Sequence, residues 1–201
     1  MESRVKLAGH PLHTMLIVFP LGLLATAVVF DVIFLVTNAA IWTRVAFFMI
    51  GAGVVTGLAA AVPGAIDWLA IPRGTRAKRI GLIHGVGNVI VVALFALSWW
   101  LRRENPAAPP TDAVVAGLLG GGIAIVTGWL GGELVDRLGV GVDDGAHLDA
   151  PSSLTGRPAA AAAGSEFRAG MSHGWSGLER RHFPQPAYAG VERRRTPART
   201  A

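Results

Sequence analysis

Two histidines three residues apart, His10 and His13, lie in the stretch GHPLHTMLIVFP (Gly9 to Pro20), and a third, His84, lies in IHGVGN. Imidazole ligates haem iron and divalent transition metals, and it carries protons near neutral pH. Carboxylates accompany it: Asp31, Asp67 in GAIDWLAIP, and Glu133 and Asp136 in GGELVDRLGVGVD. The chain has no cysteine, which excludes disulfides and iron–sulfur clusters held by cysteine. Any metal chemistry must use imidazole and oxygen.

Three uses of these residues are open. His13 and His84, on separate helices at equal depth, form an axial pair for haem b. Alternatively His10, His13, Asp67 and His84 hold a divalent metal, with Asn88, one turn beyond His84, supporting that imidazole. In a second class, a proton path or transport module, Asp31, Thr56, Asn88, His13 and His84 are stepping groups along a bundle interior. In a third, the same groups only tie helices together in a structural membrane protein, each hydrogen bond contributing about 0.6 kcal/mol. No nucleophile elbow, phosphate loop or zinc-protease spacing is present, so no reaction is assigned.

The elements that must position these residues are membrane helices. Of 201 residues 52% are hydrophobic and 15% charged, and the mean hydropathy is +0.48, too apolar for an ordinary soluble domain. Four apolar blocks, Leu12 to Val36, Val45 to Ile66, Ile80 to Leu101 and Ala113 to Val135, are each long enough to cross a bilayer, which takes about 20 helical residues. None alternates as a barrel strand does. The first block is too long for a cleaved signal peptide, despite ATA at Ala25 to Ala27, and reads as a signal anchor. The expected fold is all-α: a polytopic integral membrane four-helix bundle over residues 1–138, a short cytoplasmic extension over 139–156, and a basic disordered tail over 157–201.

Cations near span ends set orientation. Arg4 and Lys6 precede the first span, and Arg73, Arg76, Lys78 and Arg79 crowd the loop between the second and third. The opposite loops carry Arg44, and Arg102 with Arg103. Both termini are therefore expected in the cytoplasm, with Trp42, Trp99 and Trp100 at the outer interface and Trp68 and Trp129 at the inner one. His10, His13, Asp67, His84, Glu133 and Asp136 then form one cytoplasmic-side layer. Asp31 lies apart, 18 residues beyond His13 on the same helical face, at the outer level. Pro20 shares that face and should kink the span, and Thr56, Pro63 and Asp67 align on one face of the second.

The chain's excess of positive charge sits entirely in the tail. From Arg157 onward eight arginines face three acids, mixed with Pro, Gly and Ala, a composition unable to bury a core. Attraction to anionic lipid explains it, and no nucleic-acid-binding fold is present. An ungapped offset of 71 residues maps His13 onto His84 and VTG at Val55 to Gly57 onto VTG at Val126 to Gly128. This suggests a duplicated two-helix unit in parallel orientation, in which Pro20, Asp31, Pro63 and Asp67 find no counterpart.

Together GHPLHTMLIVFPLGL, Asp31, GAIDWLAIP, IHGVGN and GGELVDRLGVGVD resemble the bacterial membrane family catalogued as domain of unknown function 2231, over roughly Gly9 to Asp149. The resemblance implies four helices in a bacterial inner membrane and no assigned reaction. Some relatives are fused or adjacent to redox proteins such as Rieske-type domains, which implies a redox-linked module with a redox protein partner. Four spans are few for a transporter, so transport would require a homo-oligomer.

Overall fold

The computed structural model describes residues 1–161, so the basic tail beyond them, expected to be disordered, lies outside the described residues. A two-stranded antiparallel ribbon comes first. Strand β1 (Lys6–Leu7) pairs with β2 (His10–Pro11), with Lys6 opposite Pro11 and Leu7 opposite His10. Ala8 (φ 51°) and Gly9 (φ 81°) turn between them, both left-handed, as a tight two-residue hairpin requires. The hydropathy pattern gives no sign of this ribbon, because it is two residues wide.

Five helices follow: α1 (Leu12–Leu16), α2 (Val18–Thr37), α3 (Ala40–Ala70), α4 (Arg76–Arg102) and α5 (Thr111–Gly132), which continues as a π-helical turn over Glu133–Arg137. Taking α1 with α2, and α5 with its π turn, there are among the described residues four helices long and apolar enough to cross a membrane. The first is broken at Ile17, and Pro20 accounts for the place. It has no N–H to offer the carbonyl of Leu16, and its ring crowds that carbonyl. By contrast α3 runs through Pro63 without interruption.

Helix ends are set by local chemistry. Asn38 in the left-handed conformation (φ 54°) ends α2, its N–H donating to Phe34 O at 2.8 Å. Thr75 starts α4, its hydroxyl accepting from the Lys78 amide at 3.1 Å. Within the pairs α2/α3 and α4/α5 the helices pack most extensively, while α3/α4 and α2/α5 meet less. The core is a small apolar set: Leu24 and Ala27 on α2, Ala46 and Ile50 on α3, Val91 and Phe95 on α4. Larger apolar side chains such as Leu21, Phe48, Val62, Val89 and Ile125 point outward, as a lipid-facing surface demands.

Arg102 corrects the sequence reading. Expected in an outer loop, it is the last residue of α4 and is fully buried. A guanidinium can end a buried helix only where the bundle supplies acceptors for it, and one does.

Close backbone approach makes one packing test sharp. A Cβ on Gly53 would stand 2.5 Å from Leu24 Cδ2, whereas one on Gly22 meets nothing within 4 Å. Gly53→Leu is expected to lower stability in detergent by about 1–3 kcal/mol, the usual cost of overpacking. Gly22→Leu is expected to leave the melting temperature unchanged, since its side chain enters lipid.

Candidate functional site

Among the described residues, the buried and half-buried polar groups within the spans gather at two levels of the bundle. At one end Arg102 spends all five N–H donors. Its Nη1 and Nη2 donate to Asp31 Oδ1 and Oδ2, each at 2.6 Å; Nε donates to Ser98 Oγ at 3.1 Å; Nη1 also reaches Thr43 Oγ1 at 3.4 Å and Nη2 Ala113 O at 3.3 Å. Ser98 Oγ donates to Ala113 O at 2.6 Å. Asp31, Thr43, Ser98 and Arg102 are all buried, so the ion pair is sealed from solvent and bulk lipid. Gly117 on α5 lines it, and a Cβ there would make ordinary contact with Asp31 Oδ2 at 3.5 Å and Arg102 Nη2 at 3.6 Å.

Asp31 therefore has a counterpart after all. Arg102 lies 71 residues beyond it, the same offset that relates His13 to His84. Matching like residues with like leaves Asp31 unpaired; matching opposite charges would have found its mate.

Five helical turns away, the two histidines form a second level. His13 Nδ1 lies 2.8 Å from Ala60 O on α3, and His84 Nδ1 lies 2.8 Å from Thr127 O on α5. A carbonyl only accepts, so each bond requires Nδ1–H, and in the neutral ring Nε2 is then left with its lone pair. Four residues after each carbonyl a glycine faces the same ring. A Cβ on Gly64 would be 2.8 Å from His13 Nδ1, and one on Gly131 would be 3.1 Å from His84 Cε1. Ala60 and Thr127, like Gly64 and Gly131, are related by 67 residues. The second helices of the two halves are thus shifted by one turn relative to the first.

The two sites differ in one respect. Asn88 Nδ2 stands 3.4 Å from His84 Nδ1 and 3.2 Å from Nε2. Near-equal distances to both ring nitrogens put the amide over the ring face, because an in-plane position would collide with Cε1. Asn88 Nδ2 also donates to His84 O at 2.9 Å, and its Oδ1 accepts from Thr127 Oγ1 at 3.1 Å. This bracket fixes the plane of His84 and leaves the in-plane lone pair of Nε2 clear. His13 is held by its carbonyl bond and by Gly64.

The remaining candidates are placed elsewhere. His10 sits in the ribbon, its Nε2 3.3 Å from Ser153 Oγ. Asp67 accepts from Ser3 Oγ at 2.7 Å and from the Arg4 amide at 2.6 Å, which ties the N-terminal segment to the end of α3. Glu133 pairs with Arg76 at 2.6 Å. Asp136 is exposed, and Thr56 donates back to Ala52 O in its own helix. Among the described residues, no three His, Asp or Glu side chains stand close enough to hold a metal ion. The four residues expected to hold a divalent metal are accordingly not brought together; of them, His13 and His84 occupy equivalent settings.

An N-terminal cap covers this end. Lys6 Nζ bridges Glu2 (2.8 Å) and Asp143 (2.6 Å), and the Gly141 amide donates to Met1 O at 2.9 Å. The Lys6 bond holds the Glu2 carboxyl below the usual carboxylate range, and the bonds to Asp143 and then Glu2 raise the Lys6 ammonium above its ordinary value. DDGAHLD, Asp143 to Asp149, thus joins the cap through its first two residues, since the Asp144 amide donates to Glu2 Oε1 at 3.3 Å and its carboxylate lies 3.7 Å from the Met1 ammonium. Between the histidine level and the Arg102 level the described core side chains are apolar: Leu24, Ala27, Ala46, Ile50, Val91 and Phe95.

The sequence pattern of one protein family matches residues 9–144: a predicted membrane protein family, domain of unknown function 2231. No curated protein and no solved structure matches the chain.

The Arg102 cluster predicts a strong non-additivity. Arg102→Leu alone is expected to destabilise the bundle by about 3–5 kcal/mol, because it strands a buried carboxylate. The double change Asp31→Leu with Arg102→Leu is expected to cost much less, measured as melting temperature in a fixed detergent.

Proposed function

The chain belongs to that predicted membrane protein family, and from this premise we propose that its bundle is a redox-linked module of the bacterial inner membrane that binds haem b through His13 and His84. The observation that carries this reading is the pinned tautomer: two imidazoles at equivalent positions, each with Nδ1 2.8 Å from a backbone carbonyl. An axial histidine is held in this way, with the second nitrogen's proton given to a carbonyl and Nε2 left for the metal.

Haem, when bound, supplies reversible one-electron transfer at its iron. The chain's own residues do the rest. The carbonyls of Ala60 and Thr127 hold the Nδ1 protons and make each Nε2 a stronger donor. Gly64 and Gly131 keep the backbone of the partner helix close enough for those carbonyls to reach. Asn88 stops rotation of His84. The apolar core on one side and the Lys6 cap on the other limit water. Arg73 and Arg79, exposed at the end of the bundle where α4 begins, offer positive charge to acidic substituents at a cytoplasmic rim.

The separation of the polar levels favours electron over ion movement. A proton or ion crossing the bundle would need polar groups between His13 and Asp31, and Leu24 and Ala27 stand there instead. A redox protein partner on the cytoplasmic face follows from the same reading.

Full-length protein purified in detergent from haem-replete cells is expected to show the absorption spectrum of low-spin, bis-histidine haem. His13→Ala and His84→Ala are each expected to abolish it, while His10→Ala keeps it. Wild-type protein that stays colourless after incubation with excess haemin contradicts the proposal.

A further inference from the structure

We infer that the domain is assembled from two docking units, α1 to α3 and α4 to α5, and that Asp31 and Arg102 are the pair by which the first unit selects the second and rejects a copy of itself. Three buried residues of α2, Leu24, Ala27 and Asp31, have mates exactly one offset of 71 along in α4: Phe95, Ser98 and Arg102, also buried. Their spacing of three and four residues puts each triplet on one helical face. These two faces meet in the bundle centre, where the ion pair joins them.

Two of the mates preserve character. Leu24 and Phe95 are large and apolar, and Ala27 and Ser98 are small. Only the third changes sign. A first unit facing another first unit would oppose two carboxylates, and a second unit facing its like would oppose two guanidinium groups, each left with Ser98 Oγ and Ala113 O but without a carboxylate. The mixed pair alone satisfies both charges and all five arginine donors. Packing inside a unit needs no such help, since Gly53 against Leu24 and Gly120 against Phe95 are close apolar contacts. The partner that fits the α2 face is therefore a helix hairpin carrying a cation one turn beyond a small residue, which is the second unit of the same chain. Closure of the chain on itself is coupled to neutralising a charge that lipid disfavours.

The absence of cysteine makes this testable in the intact protein in its membrane. A Cβ on Gly121 lies 3.7 Å from Val28 Cβ, across the unit boundary, and one on Gly87 lies 3.8 Å from Thr127 Cβ, inside the second unit. Both distances suit a disulfide. Val28→Cys with Gly121→Cys should cross-link within one chain on oxidation. Adding Asp31→Arg or Arg102→Asp alone should abolish that link, and adding both together should restore it. Gly87→Cys with Thr127→Cys should cross-link in every background. Retention of the boundary link in the single reversals, or its failure to return in the reversed pair, overturns the inference. So does loss of the Gly87 link in the single reversals, because the second unit would then not be a preformed docking unit.

Discussion

A buried guanidinium and a buried carboxylate, locked together by two 2.6 Å bonds, set the terms for the rest of the bundle. In hydrocarbon a polar group without a partner costs several kcal/mol, so Arg102 can end α4 where it does only if α2, α3 and α5 all bring acceptors to it. They do so through Asp31, Thr43 and the carbonyl of Ala113. Such a pair contributes less net stability than its short bonds suggest, because both ions were taken out of water. What it supplies is alignment: α2 and α4, which are not neighbours in the chain, are fixed at one depth and facing each other.

That alignment reaches the histidines by geometry alone. His13 precedes Asp31 by 18 residues and His84 precedes Arg102 by the same number, five turns in each case. Once the charged residues are level, the imidazoles are close to level, apart from the break that Pro20 imposes at Ile17. The second helix of each half then contributes a carbonyl and, one turn on, a glycine. Because of the one-turn shift between α3 and α5, the VTG stretches that match at 71 residues do not occupy equivalent places against the two imidazoles, which are met by carbonyls 67 residues apart.

Much of this was legible in the amino-acid sequence, and the exceptions have physical causes. The four spans follow from run length, since hydrocarbon thickness is a demanding filter. Arg102 was misplaced because an arginine next to another at a span end reads as an interfacial anchor; only the bundle reveals which of the two is enclosed. His10 and Asp67 were grouped with His13 because depth along a helix was visible and the fold-back of residues 1–11 was not. Asn88 was placed correctly beside His84, since one helical turn fixes that relation without tertiary information. The pairing of Glu133 with Arg76 needed the bundle to close.

The account rests most directly on which nitrogen of each imidazole carries the proton. Nitrogen-15 spectra of the cofactor-free protein, labelled at histidine and reconstituted in lipid nanodiscs, report this for each ring, with His13 and His84 assigned by single substitution. The account predicts a protonated Nδ1 and a bare Nε2 at both positions, the reverse of the tautomer usual for histidine in water. A protonated Nε2 at either one would contradict it.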